Sequence, residues 1–271
     1  MLEERIKIFN NPECKDPILI AAWPGMGLVG LKTVGYLRER FEAQRIALIE
    51  GEGFFQSDGV KVKNGVLTSA PAPKSEFYHI RPEGMDRDIL LLIGQEQPAA
   101  GRERSFAHLV IDLAEQLNVV QVLTAAAMVT SIHHGEPSRL WIAATSQELL
   151  QELKDRNFRT IEEGQIGGLN GLLLDVARVR GIGGYCFLGE IPYYVTNLEN
   201  PKAAIVILEY LESLLGLEVD LASLREKAAY VEAQIDSAIR QQSRADSTLS
   251  RAENAVEALD KGDDDDHGVI N

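Results

Sequence analysis

Cysteine is nearly missing from this chain: Cys14 and Cys186 are the only two in 271 residues. They stand far apart, with no histidine at metal-ligand spacing. That excludes a disulfide framework and a conventional zinc motif, and implies two reduced thiols. Basic residues are also scarce, 27 Lys and Arg against 41 Asp and Glu, for a formal charge of -14. No basic run exists to neutralise a phosphate backbone, so nucleic acid is excluded as a partner. Long apolar runs are lacking too. Residues 1–5 carry no apolar signal core, and the uncharged stretch 119–135 is broken by Gln121, Thr124, Thr130, His133 and His134. Neither a leader nor a membrane span is expected, which places the protein in the cytoplasm. There is no G-x-S-x-G elbow for a serine nucleophile. His133, His134 and Glu136 offer three ligand types, but neighbouring side chains on a strand point to opposite faces, so no metal site is expected there.

What the chain does have is apolar residues, 45% of the total, enough to fill the core of a large domain. Short β-type runs alternate with helical periodicity, the order that builds an α/β sandwich around a mostly parallel sheet. Strands are expected at residues 18–23, 45–50, 88–94, 121–126, 140–145 and 185–191. Helices are expected at 28–40, 102–117, 147–157, 169–180 and 201–215. One helix of the repeat is replaced by the alternating run at 60–67, split by Asn64-Gly65, a pair suited to the positive φ angles of a hairpin turn.

Where the first of these strands gives way to helix lies Trp23-Pro24-Gly25-Met26-Gly27-Leu28-Val29-Gly30. The spacing is G-x-G-x-x-G, and Glu50 follows Gly30 by about the interval of a dinucleotide-binding acid. Two features oppose that reading. Pro24 makes the approach to the first glycine rigid, and the hairpin interrupts the βαβ unit. The favoured role of Gly25, Gly27 and Gly30 is close packing of strand, loop and helix, or a subunit contact, with no cofactor bound. Glu50, Glu52, Asp58, Glu96 and Glu190 fall near strand ends, where a pair could serve as general acid and base. Solvent-facing loop carboxylates are the preferred reading of all five. Tyr193 and Tyr194 read as wall or interface residues.

A further set of motifs follows in order. It comprises Gly135 after a strand, Gly164-Gln165-Ile166-Gly167-Gly168-Leu169-Asn170-Gly171 leading into a helix, Glu190-Ile191-Pro192-Tyr193-Tyr194, Asn200-Pro201-Lys202, and Leu215-Gly216-Leu217-Glu218-Val219-Asp220. Together with the Trp23 to Gly30 loop, these make the chain resemble the proteasome assembly chaperone family, specifically the prokaryotic relatives of the second eukaryotic chaperone. The resemblance implies a three-layer α/β fold similar to nucleoside phosphorylases and hydrolases, frequent homotrimers and a role in protein binding without catalysis. Proteasome α-subunits are the implied partner where the organism has them. The motif residues Trp23, Gly25, Gly27, Gly30, Gly135, Gly168, Asn170, Gly171, Pro192, Tyr193 and Pro201 are then loop or interface positions. Some archaeal members dock through a tail ending in a hydrophobic residue, tyrosine and any residue. Here Val269, Ile270 and Asn271 close the chain, with Ile270 in the tyrosine's place.

Proline and glycine are also absent from Leu221 to Leu259, where Leu221, Leu224, Ala228, Val231, Ile235, Ala238, Gln242, Ala245, Leu249, Ala252, Val256 and Leu259 recur at spacings of three and four. A helix of about 58 Å with a heptad seam is expected, stronger in its first half, either as a coiled coil or folded back on its own domain. The expected organisation is an α/β domain over 1–220, this helix over 221–260, and a solvated acidic tail over 261–271. The leading function is a self-associating, protein-binding scaffold. The alternatives are a small-molecule site for a nucleoside-like or phosphate-bearing ligand under the glycine loop, or a phosphorylase- or hydrolase-like enzyme using the strand-end carboxylates.

Overall fold

The structure, a computed structural model, describes residues 5–56, 59–69, 71–153 and 158–263. Asp58 and the terminal residues Val269, Ile270 and Asn271 lie outside the described residues. The chain divides into two units, Met1–Ala228 and Ala229–Asn271.

The first unit is built on a nine-stranded sheet. In chain order its strands are β1 (Ile6–Ile8), β2 (Ile18–Ala22), β3 (Gln44–Glu50), β6 (Lys74–Ile80), β7 (Ile89–Gly94), β8 (Gln121–Thr130), β9 (Leu140–Ala144), β10 (Arg159–Thr160) and β11 (Gly183–Pro192). The remaining two, β4 (Val60–Lys63) and β5 (Val66–Ser69), form a separate hairpin. Its turn residues Asn64 and Gly65 have φ of 53° and 77°, the left-handed pair that closes a tight hairpin.

The sheet order is β1-β3-β6-β7-β2-β8-β11-β9-β10. Its four central strands, β7, β2, β8 and β11, are parallel neighbours. The pairs β1–β3, β3–β6, β6–β7 and β11–β9 are antiparallel. The hairpin accounts for part of this departure. Without a crossover helix between β3 and β7, the chain returns along the sheet through β6, and adjacent strands then run in opposite directions.

Strand β2 shows how the layers form. All five of its residues are buried, as expected for a strand covered on both faces. Ile18, Ile20 and Ala22 face a core shared with helices α1 (Val29–Arg40) and α5 (Pro201–Leu215). Leu19 and Ala21 face the opposite core, shared with α2 (Glu103–Gln116) and α4 (Gly168–Val179). The period-two alternation of one strand thus produces two hydrophobic layers and a three-layer sandwich. A short helix, α3 (Gln147–Glu152), follows β9 and is capped by Ser146, whose Oγ accepts from the Leu149 N–H at 3.3 Å. Asn200 caps α5 by accepting from the Ala203 N–H at 3.0 Å, with Pro201 in the first turn, where its missing N–H is harmless.

The last helix, α6, spans Ala222–Asp263. Leu221, Leu224 and Ala228 belong to the α1/α5 core. In the second unit Ile235 is also buried, whereas residues 237–248 are exposed. Among the seam residues whose side chains are described, Leu221, Leu224, Ala228 and Ile235 are buried, and Ala238, Gln242 and Ala245 are exposed.

Candidate functional site

β2 ends at Ala22, and the glycine loop begins at its carboxyl end. Trp23 is fully buried: its N–H donates to Asn170 Oδ1 at 3.3 Å and its Nε1 to Ser75 Oγ at 3.3 Å. A Cβ on Gly94 would stand 1.9 Å from the indole Cδ1, so the end of β7 is glycine to admit the ring. Beyond Pro24 and Gly25, a single 3-10 turn covers Met26–Leu28 and leads into α1.

The three glycines have different roles. Gly27, at φ 63°, donates its N–H to Thr196 O at 2.7 Å and accepts from Asn200 N–H at 2.8 Å, which staples this loop to the segment after β11. Gly30 meets β8, where a Cβ would lie 2.1 Å from the Ala125 carbonyl oxygen. These two positions meet the expectation of polypeptide pressed against polypeptide. Gly25 does not. It is extended, at φ -161° and ψ -176°, and a Cβ there would meet nothing within 4 Å.

Gly25 opens onto a cavity of about 500 Å³. Trp23, Gly25 and Gly30 line one wall. Residues 126–129 of β8 and Leu188 of β11 form the floor, and residues 163–168 with Asn170 close the far side. Gly25, Gly30, Gly168 and Asn170, which lie far apart in the chain, are thus brought around one hollow. Gln97 also lines it and had no motif to mark it. Its Nε2 donates to Pro24 O at 2.7 Å and its Oε1 accepts from the Leu169 N–H at 3.0 Å, bridging the glycine loop to the first turn of α4. Gly171 is explained by packing, since its Cβ would fall 2.3 Å from Ile166 O. Packing thus accounts for Gly27 and Gly30 but not for Gly25, which borders a hollow instead. Among the described residues, Glu163 is its one charged lining residue and no Lys, Arg or His lines it.

Glu50 and Glu190 do not form a catalytic pair. Glu50 is on β3 and Glu190 on β11, five strands apart in the sheet, or roughly 24 Å at a strand spacing of about 4.8 Å. Glu50 pairs with Lys7 at 2.5 Å. Glu190 is 3% exposed, accepts from Thr130 Oγ1 at 2.9 Å, and has Arg139 Nε at 3.7 Å from its other oxygen. Glu52 and Glu96 share a separate hollow of about 550 Å³ with Lys61.

His133 and His134 require another correction. β8 ends at Thr130, so both lie in a turn, and their rings sit 4.1 Å apart rather than on opposite faces. His134 Nδ1 is 2.8 Å from the Tyr194 hydroxyl, and the His134 and Glu136 carbonyls accept from Lys202 Nζ at 2.6 and 3.3 Å. The Gly135 N–H donates to His133 Nδ1 at 3.1 Å, making it part of this turn. Pro192 ends β11, and Tyr193 beyond it is 65% exposed.

Among the described residues, Cys14, His79 and Asp88 place their ligand atoms within 4.8 Å of one another. Their geometry is that of an ion pair rather than a metal centre. Arg81 donates to both Asp88 oxygens, at 2.7 and 2.8 Å, and His79 Nε2 lies 2.8 Å from Oδ1. Burial pushes the Asp88 carboxyl up, but the hydrogen bonds from Arg81, the Lys15 N–H and His79 outweigh it and hold it well below the usual carboxylate range. Burial, and then the Asp88 charge, push the Cys14 thiol up. Among the described residues, no helix is long and apolar enough to cross a membrane.

Comparison with known proteins agrees with this architecture. The uncharacterized protein MJ1210 of Methanocaldococcus jannaschii is 28% identical over 238 residues, 85% of this chain and 86% of that protein. The crystal structure of PbaB of Pyrococcus furiosus, an archaeal proteasome activator, has a TM-score of 0.74 at 27% identity, covering 86% of this chain and 97% of that one. The proteasome-assembly chaperone homologue Rv2125 of Mycobacterium tuberculosis has a TM-score of 0.69 at 26% identity, covering 82% and 94%. Residues 19–239 match the family model of the PAC2 family, and the chain belongs to that family.

Proposed function

We propose that this protein is a non-catalytic, self-associating scaffold of the proteasome-assembly-chaperone type, acting in the cytoplasm. It engages a protein partner through its strand-end loops and its C-terminal region. The observation that carries this reading is the pair of loops stapled through Gly27. Met26 and Leu28 on one, and Tyr193, Tyr194 and Leu198 on the other, are 37–65% exposed although apolar or aromatic. Large apolar side chains held on rigid loops have the composition of an interface core, in which aromatic residues and methionine are enriched. The hairpin adds a second such surface. Val62 faces Leu67 across its strands, and the two are 65% and 68% exposed.

The family resemblance implies the partner class, proteasome α-subunits where the organism has them, with a homotrimer as the expected assembly. For the catalytic alternative, Glu50 and Glu190 are too far apart to share one substrate bond, which leaves Glu52 and Glu96 as the acids that line one hollow. The test compares the wild-type chain with a Met26→Asp/Tyr193→Asp double variant by light scattering and by affinity capture. Loss of assembly mass, or loss of a captured α-subunit, with the fold retained supports the reading. A wild-type monomer that captures no partner sensitive to the double variant refutes it.

A further inference from the structure

We propose that the cavity beneath Gly25 is a binding site for an uncharged cyclic-amide molecule, of the size of a nucleobase or an unphosphorylated nucleoside. This goes beyond the scaffold reading and does not depend on it.

Position is the first argument. After β2 the chain passes through α1 to β3 on one side, and after β7 it passes through α2 to β8 on the other. The sheet therefore changes winding direction between β2 and β8. Crevices outside the carboxyl ends of parallel strands at such a point are where open α/β sheets bind ligands. Trp23 and Gly25 just past β2, and residues 126–129 near the end of β8, line the cavity.

The second argument comes from two glycines that the fold does not require. Gly25 and Gly167 both line the cavity, at φ -161° and -78°, conformations open to any residue. A Cβ on either would meet nothing within 4 Å. Gly27, Gly30, Gly168 and Gly171, by contrast, are each explained by a positive φ or by a neighbour that a Cβ would crowd. Both positions are exposed and border the cavity, so side chains can be introduced at 25 and 167 without crowding the fold.

Polarity defines the ligand. Among the described residues no base lines the cavity, and Glu163, which does, disfavours phosphate. Met26, Ile161, Ile166 and Leu188 suit an apolar ring face. Gln97 is held by Pro24 O and the Leu169 N–H, which use one of its two N–H donors and one lone pair of its oxygen. The remaining donor and acceptor match the adjacent C=O and N–H of a cyclic amide.

The test uses ligand-observed NMR with uracil, thymine and uridine at millimolar concentration. Uridine monophosphate and NAD serve as charged counterparts, and Gly25→Leu and Gly167→Leu as variants that fill the cavity. Thermal melts of both variants check that the fold is kept. The expected result is that at least one neutral compound binds the full chain and binds about tenfold or more weakly to a folded variant, a change of about 1.4 kcal/mol. The monophosphate and NAD should bind no better than uridine. Absence of binding by all three neutral compounds, binding unaltered in both variants, or tighter binding of a charged counterpart would each overturn the proposal. Oligomer mass is unaffected by this outcome, so its failure is separable from failure of the scaffold reading.

Discussion

A methyl group on Gly30 would sit 2.1 Å from the carbonyl oxygen of Ala125, far inside van der Waals contact. Helix α1 and strand β8 are packed backbone to backbone at this point. Gly30→Ala would gain helix propensity, but a clash with main-chain oxygen cannot be relieved by rotating a side chain. The expected net loss is about 1–3 kcal/mol, measured by urea denaturation. A variant as stable as wild type would show that α1 is not seated against β8.

Gly35 lies in the same helix and provides the opposite case. A Cβ there meets nothing within 4 Å, and its φ is not positive. Gly35→Ala should raise stability by about 0.5–1 kcal/mol, because alanine loses less backbone entropy on entering the helix. Paired with Gly30→Ala, it separates steric need from helix propensity.

Asp88 predicts an acid-sensitive contribution to stability. Its native pKa is lowered by Arg81, the Lys15 N–H and His79 in spite of burial. The unfolded chain therefore binds its proton first, at about pH 3.9. The contribution is present above that value and is lost as pH falls through it toward the native pKa. Asp88→Asn should reduce stability at neutral pH by about 1–3 kcal/mol, discounted because the Arg81 side chain is largely exposed. It should also flatten the decline of stability between about pH 5 and 2. Parallel curves for wild type and variant would remove Asp88 as the cause.

How far the sequence revealed this structure depends on whether a signal was local. The central strands are legible because each is apolar on both faces, and the hairpin because Asn64-Gly65 carries its own turn chemistry. β6 was missed because Lys74, Glu76 and His79 make it look like a loop. Its polar groups find partners only in the folded state: Glu76 pairs with Arg45 at 2.6 Å, His79 with Asp88 at 2.8 Å, and Ser75 accepts from Trp23. The motif glycines were visible, but their division into packed and unpacked positions depends on what lies across the sheet. Gln97 had no signal at all, because a lone glutamine acquires meaning only when Pro24 and Leu169 stand on either side of it.

The cut point that separates the body of the domain from its C-terminal helix is also a prediction. The heptad pattern begins at Leu221 and suggests a boundary at 220, yet Leu221, Leu224 and Ala228 are 5%, 3% and 9% exposed within the α1/α5 core. A chain ending at Asp220 loses two buried leucines, each contributing about 1.5–3 kcal/mol. It should be destabilised by several kcal/mol or fail to accumulate. A chain ending at Ala228 keeps all three, gives up the buried Ile235, and should fold with a lowered melting temperature. Once its melt shows that this shorter chain folds, light scattering on it tests assembly directly. A fall in mass would assign self-association to the helix beyond residue 228, and an unchanged mass would leave it to the loops around Met26 and Tyr193.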